Sequence, residues 1–507
     1  MDSPLLSSLL RSFFRRRACA RPINGSIRRN YSLLPKFPLP KITADTSGET
    51  WQPRTAFLQK DRTGEFEKYP MVDARGLARR KERPKRVKML VRDFIDGRVL
   101  SLLKHRTREP EIGEFPYSLY NPNYGFFSKF AVIFSTEKPF AFNLIRDENE
   151  FQRILGERYT CFEDKLDEVE MNPVRQLWHT PTELFKPYYG EAIARYLVEN
   201  YKLTLFPYSD LIIYEMGAGN GTMMSNVLDY IRDTEPDVYQ RTKYRVIEIS
   251  ESLAKVQREK AAAGGHSEKI VIVNKSIFDW DTYVSDPCFF LALEVLDNFA
   301  HDVIRYDPQT EQPLQGIVLI DAAGDFTEFY TPKLDPTAER YLRIRQKIAR
   351  PGYNHPLKRP KLIRRLRDQL IPFSENLTIP EYIPTKMLGF FDILREHFPA
   401  HRLVVSDFHA LPDAVKGINA PVVQTRYNRT SIPVTTPFVQ QGLFDILFPT
   451  DFGVMNDLYK AMTGKLTRVM RQEDFLRSWA YLEETETING DNPMLNWYKN
   501  ASILSSV

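Results

Sequence analysis

Cysteine is scarce in this chain: three residues in 507, with no C-x-x-C pair and no Cys/His spacing among them. A disulfide framework is thereby excluded, and no metal site is expected. Cys288 opens an apolar run and reads as a small core residue rather than a nucleophile. Long hydrophobic runs are missing too. Pro287–Leu293 falls far below the ~18 apolar residues of a spanning helix, so no transmembrane segment is expected. Acids are nearly absent from residues 1–31, where seven arginines (11, 15, 16, 17, 21, 28 and 29) face Asp2 alone. Leu6, Leu9, Leu10, Phe13 and Phe14 recur beside them at helical spacing, the pattern of a mitochondrial presequence. Arg29 stands two residues before a cut after Tyr31, and the mitochondrial matrix is the expected compartment. Without that segment the formal charge drops from +5 to −1, so the remaining body is close to neutral.

What is present divides the chain. Residues 32–87 are rich in proline and basic side chains and read as a linker; eight basic residues fall between Arg75 and Lys88. No aromatic residues interleave with them for base stacking, which favours a solvated or docking face over a nucleic-acid patch. Residues 88–205 read as mainly helical, with a helix start at Pro181-Thr182-Glu183. From 206 to 302 strands and helices alternate: Leu211–Met216, helix 222–232, Tyr244–Ile249, helix 251–263, Lys269–Val273 and Pro287–Glu294. This pattern predicts a doubly wound, Rossmann-like α/β fold around a parallel sheet. Residues 303–400 break it and read as an inserted, substrate-side subdomain with a strand pair (Ile317–Asp321 and Asp325–Tyr330). A basic helical stretch follows, with eleven Lys/Arg from Arg340 to Arg367 and no acid. Residues 401–460 are expected to complete the sheet, through Arg402–Asp407, Val422–Tyr427 and Leu443–Phe448. Residues 461–507 are expected to form a helical tail.

The chemistry concentrates at Glu215-Met216-Gly217-Ala218-Gly219-Asn220-Gly221-Thr222. A buried strand runs into three glycines at alternate positions, and a helix follows at once. Glycine serves where φ is positive or where a ligand meets the backbone with no Cβ between. The dinucleotide pattern G-x-G-x-x-G is not met, and G-K-[ST] of triphosphate loops is absent. Glu215 can accept a hydrogen bond from a ligand ammonium. Glu248, at the end of the second strand, can accept both hydroxyls of a ribose. Phe278-Asp279-Trp280 offers an acid between two aromatics, suited to adenine and its amine, although core packing is an equal reading for the rings. Together these point to S-adenosylmethionine rather than NAD. At the fourth strand end, Glu294 and Asp297 could grip a guanidinium through paired charge-assisted hydrogen bonds; Asp297 could instead cap the helix that follows. His301 reads as a surface or supporting residue.

These blocks also carry a resemblance. The chain resembles the MidA-like family of S-adenosylmethionine-dependent methyltransferases over residues 88–460, as a divergent member. The similar blocks are Tyr120–Phe127, His179–Phe185 with Gly190-Glu191, Glu215–Met224, Glu248-Ile249-Ser250 with Leu253 and Gln257, Glu294–Asp297 and Gly442–Ile446. The resemblance implies cofactor binding by the glycine turn and Glu248, with Tyr124 and Glu183 on the substrate side. It further implies symmetric dimethylation of an arginine on a partner protein, in the setting of respiratory complex I assembly. The chain departs from the family at Leu293, where an Asn is usual, and at Asp407-Phe408-His409, where Asp-Tyr-Gly is usual. Such departures suit a different substrate, or an assembly factor without turnover. A nucleic-acid or mitoribosomal methyltransferase is the remaining alternative, but no Asn/Asp-Pro-Pro-Tyr block and no Cys nucleophile supports it.

Overall fold

The computed structural model describes residues 87–96, 131–320, 326–348, 355–357, 377–412, 414, 419–439 and 444–506. All of the described residues belong to one compact unit. The expected presequence, nearly all of the linker, the Tyr120–Phe127 block with Tyr124, and most of the basic stretch beyond 348 lie outside the described residues.

Seven strands form the main sheet: β1 Leu211–Met216, β2 Thr242–Ile247, β3 Ile270–Val273, β4 Cys288–Leu293, β5 His401–Phe408, β6 Thr467–Arg471 and β7 Ala501–Ser506. Their spatial order is β3-β2-β1-β4-β5-β7-β6. β1 to β5 run parallel, while β7 is antiparallel to both β5 and β6. The dinucleotide order 3-2-1-4-5-6 is thus altered by an antiparallel strand slipped in before the last, giving a Rossmann-like, doubly wound sheet. Six helices flank the sheet: α1 Tyr188–Thr204, α2 Thr222–Thr234, α3 Glu251–Ala263, α4 Thr385–His397, α5 Phe452–Thr463 and α6 Gln472–Trp479.

The two-residue period of a strand sends alternate side chains to opposite faces. Leu211, Ile213, Phe289, Leu291 and Ile503 pack on one face with Ile193, Val227, Ile231 and Phe475 of α1, α2 and α6. Tyr214, Met216, Phe290, Val405 and Leu504 pack on the other with Leu388 and Phe391 of α4 and Leu458 of α5. Both faces are therefore apolar, which is why the parallel strands read as continuous hydrophobic runs. Each such fully buried side chain stabilises the fold by about 1.5–3 kcal/mol.

The periphery departs from the sequence reading in three places. Residues 422–427 and 445–447 do not join the main sheet; with 430–434 they form a separate three-stranded antiparallel sheet. The expected helical tail instead supplies β6 and β7 beside α6. The 88–205 region includes strands Val87–Leu90, Ala131–Ile133 and Gln176–Trp178 among its helices. The expected pair near 317–330 is found as Pro313–Ile320 antiparallel to Phe326–Thr331, inside a five-stranded sheet with Val87–Leu90, Asp302–Tyr306 and Glu381–Ile383. Buried Asp302 anchors that sheet to α4, accepting from Arg92 (2.7 Å), Thr385 (2.6 Å) and Gln315 (2.9 Å). In the basic helical stretch, Arg340 pairs with Asp392, Arg343 with Glu339 and Arg345 with Glu381, so its described first members are spent on the fold. No helix among the described residues is long and apolar enough to cross a membrane.

Candidate functional site

A cleft of about 180 Å³ opens where the strand order reverses between β1 and β4, the topological switch point at which open α/β sheets bind ligands. Water needs only ~10–15 Å³ by the same measure, so the space suits an organic ligand. Glu215, Gly217 and Gly219 line it from β1 and the turn after it, Glu248 and Ile249 from just after β2, and Glu294 from just after β4.

The turn is built for backbone contact. Gly217, Gly219 and Gly221 have φ of 73, 52 and 71°, values that L side chains disfavour. A Cβ on Gly219 would stand 2.8 Å from Ile133 Cδ1, so no substitution there fits without displacement. Glu183 pins this turn from below. One carboxylate oxygen accepts from Thr222 (2.6 Å) and Asn220 (3.1 Å), the other from Ser135 (2.8 Å) and Lys186 (3.1 Å). Burial opposes its charge, but Lys186 and Thr222 hold the carboxyl below its ordinary range. Glu183 lines the cleft as well, yet its four partners make it a brace for the glycine turn.

Glu248 is 4% exposed and accepts from Ser250 N and Gln257 Nε2, both at 2.9 Å. Gln257, on the inner face of α3, also donates to the carbonyl of Gly219 at 2.8 Å. One amide thus locks Glu248 to the glycine turn. Each oxygen of Glu248 accepts one bond and retains a lone pair for a hydroxyl. Glu215 accepts from Tyr244 OH at 2.8 Å, and burial, reinforced by the charge of Glu248, lifts its carboxyl to about 7.

At the β4 end Glu294 has φ of +55°, a left-handed conformation that is rare for a residue other than glycine and costs of order 1–3 kcal/mol. Its amide still donates to Ser406 O at 2.8 Å, so the ladder to β5 continues past the strand. Its Oε1 is shielded and without a partner. Burial, and then Asp297, push its carboxyl well above the ordinary range. Asp297 does not line the cleft; it stands behind it, buried, bonded to Asn298 Nδ2 at 2.7 Å and raised by burial to about 6. Nor does Asp297 cap the short turn Leu296–Asn298. That role falls to Asp407, which accepts from Leu296 N (2.9 Å) and Asp297 N (3.1 Å). Gly221 lies just outside the cleft lining, at the start of α2. Phe278 and Asp279 are not brought to the cleft: Phe278 packs on Phe299 at 5.4 Å and Asp279 faces solvent. His301 is buried rather than at the surface, stacked on Phe448 at 3.9 Å, with its pKa drawn down by burial to about 3.

Sequence reasoning missed Asn298 and Asp445. Asn298 lines the cleft. Asp445, raised by burial and then Asp297 to about 8, leaves Oδ1 without a partner. Only its place in the Gly442–Ile446 block marked the latter.

Sheet order, glycine turn and the buried, hydrogen-bonded acid after the second strand define a Rossmann-like enzyme that takes a nucleoside-bearing cofactor. Residues 192–470, more than half of the chain, match the model of an S-adenosyl-L-methionine-dependent methyltransferase family, and the chain belongs to that family. It is an S-adenosylmethionine-dependent methyltransferase. The positive-φ glycines, the crowded Gly219 and the open lone pairs of Glu248 fit that cofactor. Among curated proteins, the chain is similar to the mitochondrial protein arginine methyltransferase NDUFAF7 homologue of Schizosaccharomyces pombe. Identity is 23% over 407 residues, covering 75% of this chain and 81% of the relative. The homologue of Saccharomyces cerevisiae is 22% identical over 63% of this chain and 78% of its own length. Among solved structures, a Burkholderia thailandensis protein bound to S-adenosyl-homocysteine is 15% identical with a TM-score of 0.46, covering 76% of this chain and 84% of that one. The mitochondrial address of the curated relatives agrees with the arginine-rich N-terminal segment.

Proposed function

We propose that this chain is a protein-arginine N-methyltransferase of the mitochondrial matrix, performing symmetric dimethylation in the course of respiratory complex I assembly. The observation that carries the reading is Glu294: a strained carboxylate at the cleft, one oxygen unpartnered, beside the cofactor-type glycine turn. The names of the curated relatives, protein arginine methyltransferases of mitochondria, support the substrate class and the compartment.

S-adenosylmethionine, when bound, supplies an electrophilic methyl group. The chain supplies alignment and charge. Glu248 and the glycine turn hold the nucleoside. Glu294 accepts N–H bonds from the entering guanidinium, turns one nitrogen toward the cleft, and takes up the proton that this nitrogen sheds. Its raised affinity for a proton suits that last role. Asp297 and Asp407 act on the shape of the turn behind it.

The test is methyl-label transfer into an extract of mitochondria lacking this protein, read as methylarginine after hydrolysis. Wild type should give symmetric dimethylarginine. Glu294→Gln should give at least about 100-fold less, with S-adenosylhomocysteine affinity unchanged by calorimetry, whereas Glu248→Ala should weaken that affinity at least about tenfold. Label on no protein, or on another residue type, sinks the proposal.

A further inference from the structure

The β4 end of the cleft, beside the glycine turn, carries acceptors that no donor of the chain meets. Two residues that line it each leave an oxygen shielded from solvent and without a hydrogen-bond partner: Glu294 Oε1 and Asn298 Oδ1. Asn298 is only 7% exposed. Its amide orientation follows from its other end, since Nδ2 donates to Asp297 Oδ1 at 2.7 Å and a carboxylate can only accept. Oδ1 is therefore the end left over. The turn that carries Asn298 is itself held, with Asp407 accepting from Leu296 N and Asp297 N and with Phe448 N donating to Asp297 O at 2.6 Å. Leu293, the neighbour on β4, lines the same cleft and brings no polar group to it.

Buried polar atoms without partners are costly, about 1–3 kcal/mol each, and call for a ligand that supplies what is missing. For ionised Glu294 and for Asn298, what is missing is donors only. A guanidinium has five N–H groups in a planar fork and no acceptor; an ammonium has three on a point; a neutral amide brings an acceptor that would face like atoms. We propose that Asn298 is a substrate-positioning residue, whose Oδ1 accepts one arm of a guanidinium while Glu294 accepts the other. Asp297 fixes the amide and so decides which arm is held. This deepens the arginine reading and rests on it for the identity of the natural ligand, but it can be tested without turnover.

The full chain, loaded with S-adenosylhomocysteine, is titrated with methylguanidinium, methylammonium and methylurea, and arginine-peptide transfer is measured alongside. Wild type should bind methylguanidinium at least about tenfold more tightly than the other two. Asn298→Ala should lose about tenfold or more in that affinity and raise the KM for an arginine peptide more than it lowers kcat, with S-adenosylhomocysteine affinity and Tm retained. Asn298→Asp, which keeps an acceptor in the same place, should retain the preference for methylguanidinium over methylurea. Equal binding of the three probes by wild type overturns the proposal without recourse to any variant. So does an Asn298→Ala protein with unchanged methylguanidinium affinity and unchanged KM; if arginine is still methylated in that case, the functional reading stands alone. Selective methylguanidinium binding that Asn298→Ala abolishes, with label transferred to something other than arginine, supports Asn298 and sinks the functional reading instead.

Discussion

Burial lifts several carboxyls at this site, Glu215, Glu294 and Asp297 among them, above their ordinary range. Glu215 is tied to Tyr244 and lifted by burial from 4.5 to about 7. The folded chain thus holds this proton more tightly than the unfolded one. Its stabilising effect is full below about 4.5 and is lost as pH rises through 7. Glu215→Gln keeps an acceptor for Tyr244 and carries no charge. A tenfold difference in proton affinity between folded and unfolded chain is worth about 1.4 kcal/mol. The variant should therefore gain up to about 3 kcal/mol over wild type at pH 8 and nothing at pH 4. Urea unfolding across that range checks it; parallel stability curves for the two proteins refute it. That Gly217, Gly219 and Glu215 meet at one cleft was legible in the sequence because they belong to one strand-turn-helix, and Glu248 because it follows the next strand. Asn298 was not, because its role comes from a turn that Asp407 closes across more than a hundred residues of sequence. Phe278 and Asp279 had the right composition, but the turn after β3 carries them away from the cleft.

At the level of elements, five parallel strands stood out as apolar runs and two did not. β7 reads Ala-Ser-Ile-Leu-Ser-Ser, with two large apolar residues among small and hydroxyl ones. Its burial is nonetheless complete along its length. Serine fits because its hydroxyl is satisfied locally: Ser506 Oγ accepts from Leu403 N at 2.7 Å and Ser502 Oγ bonds His409 Nδ1 at 3.0 Å. β6 is hidden for the opposite reason, as an edge strand whose Arg468, Val469 and Arg471 are exposed. Ile503 has no exposed surface and packs beneath α6. Ile503→Ala should cost about 2–5 kcal/mol by cavity formation, whereas Val469→Ala on exposed β6, at 41% exposure, should cost under about 1 kcal/mol. Thermal unfolding of the pair measures the difference, and similar losses in both would show that β7 is not a core strand.

For the whole molecule, charge is segregated. The arginines of the first 31 residues carry more positive charge than the chain's net +5, and the body beyond them is close to neutral. Arg340, Arg343 and Arg345 of the basic helix after residue 336 are paired with Asp392, Glu339 and Glu381, which ties these three to the fold. Removing residues 1–31 should therefore abolish mitochondrial accumulation and leave the affinity for S-adenosylhomocysteine within about twofold of the full chain, since among the described residues the cleft is lined from Ile133 onward. Cell fractionation and calorimetry on the two forms test both halves, and a truncated chain still found in mitochondria would contradict the first.

The place of β7 also sets a timetable. It is the last of the seven strands along the chain, yet in space it lies between β5 and β6. A ribosome, or a membrane pore threading the chain from its N-terminus, delivers β1 to β5 well before it. Until β7 arrives, β5 presents an unpaired inner edge and one side of the sheet lacks the cover that α6 and β7 give it. Such an edge is a template for pairing with other chains. The nascent protein must therefore be kept apart from its neighbours until its final strand has been delivered, and the sheet closes only as the last step of folding.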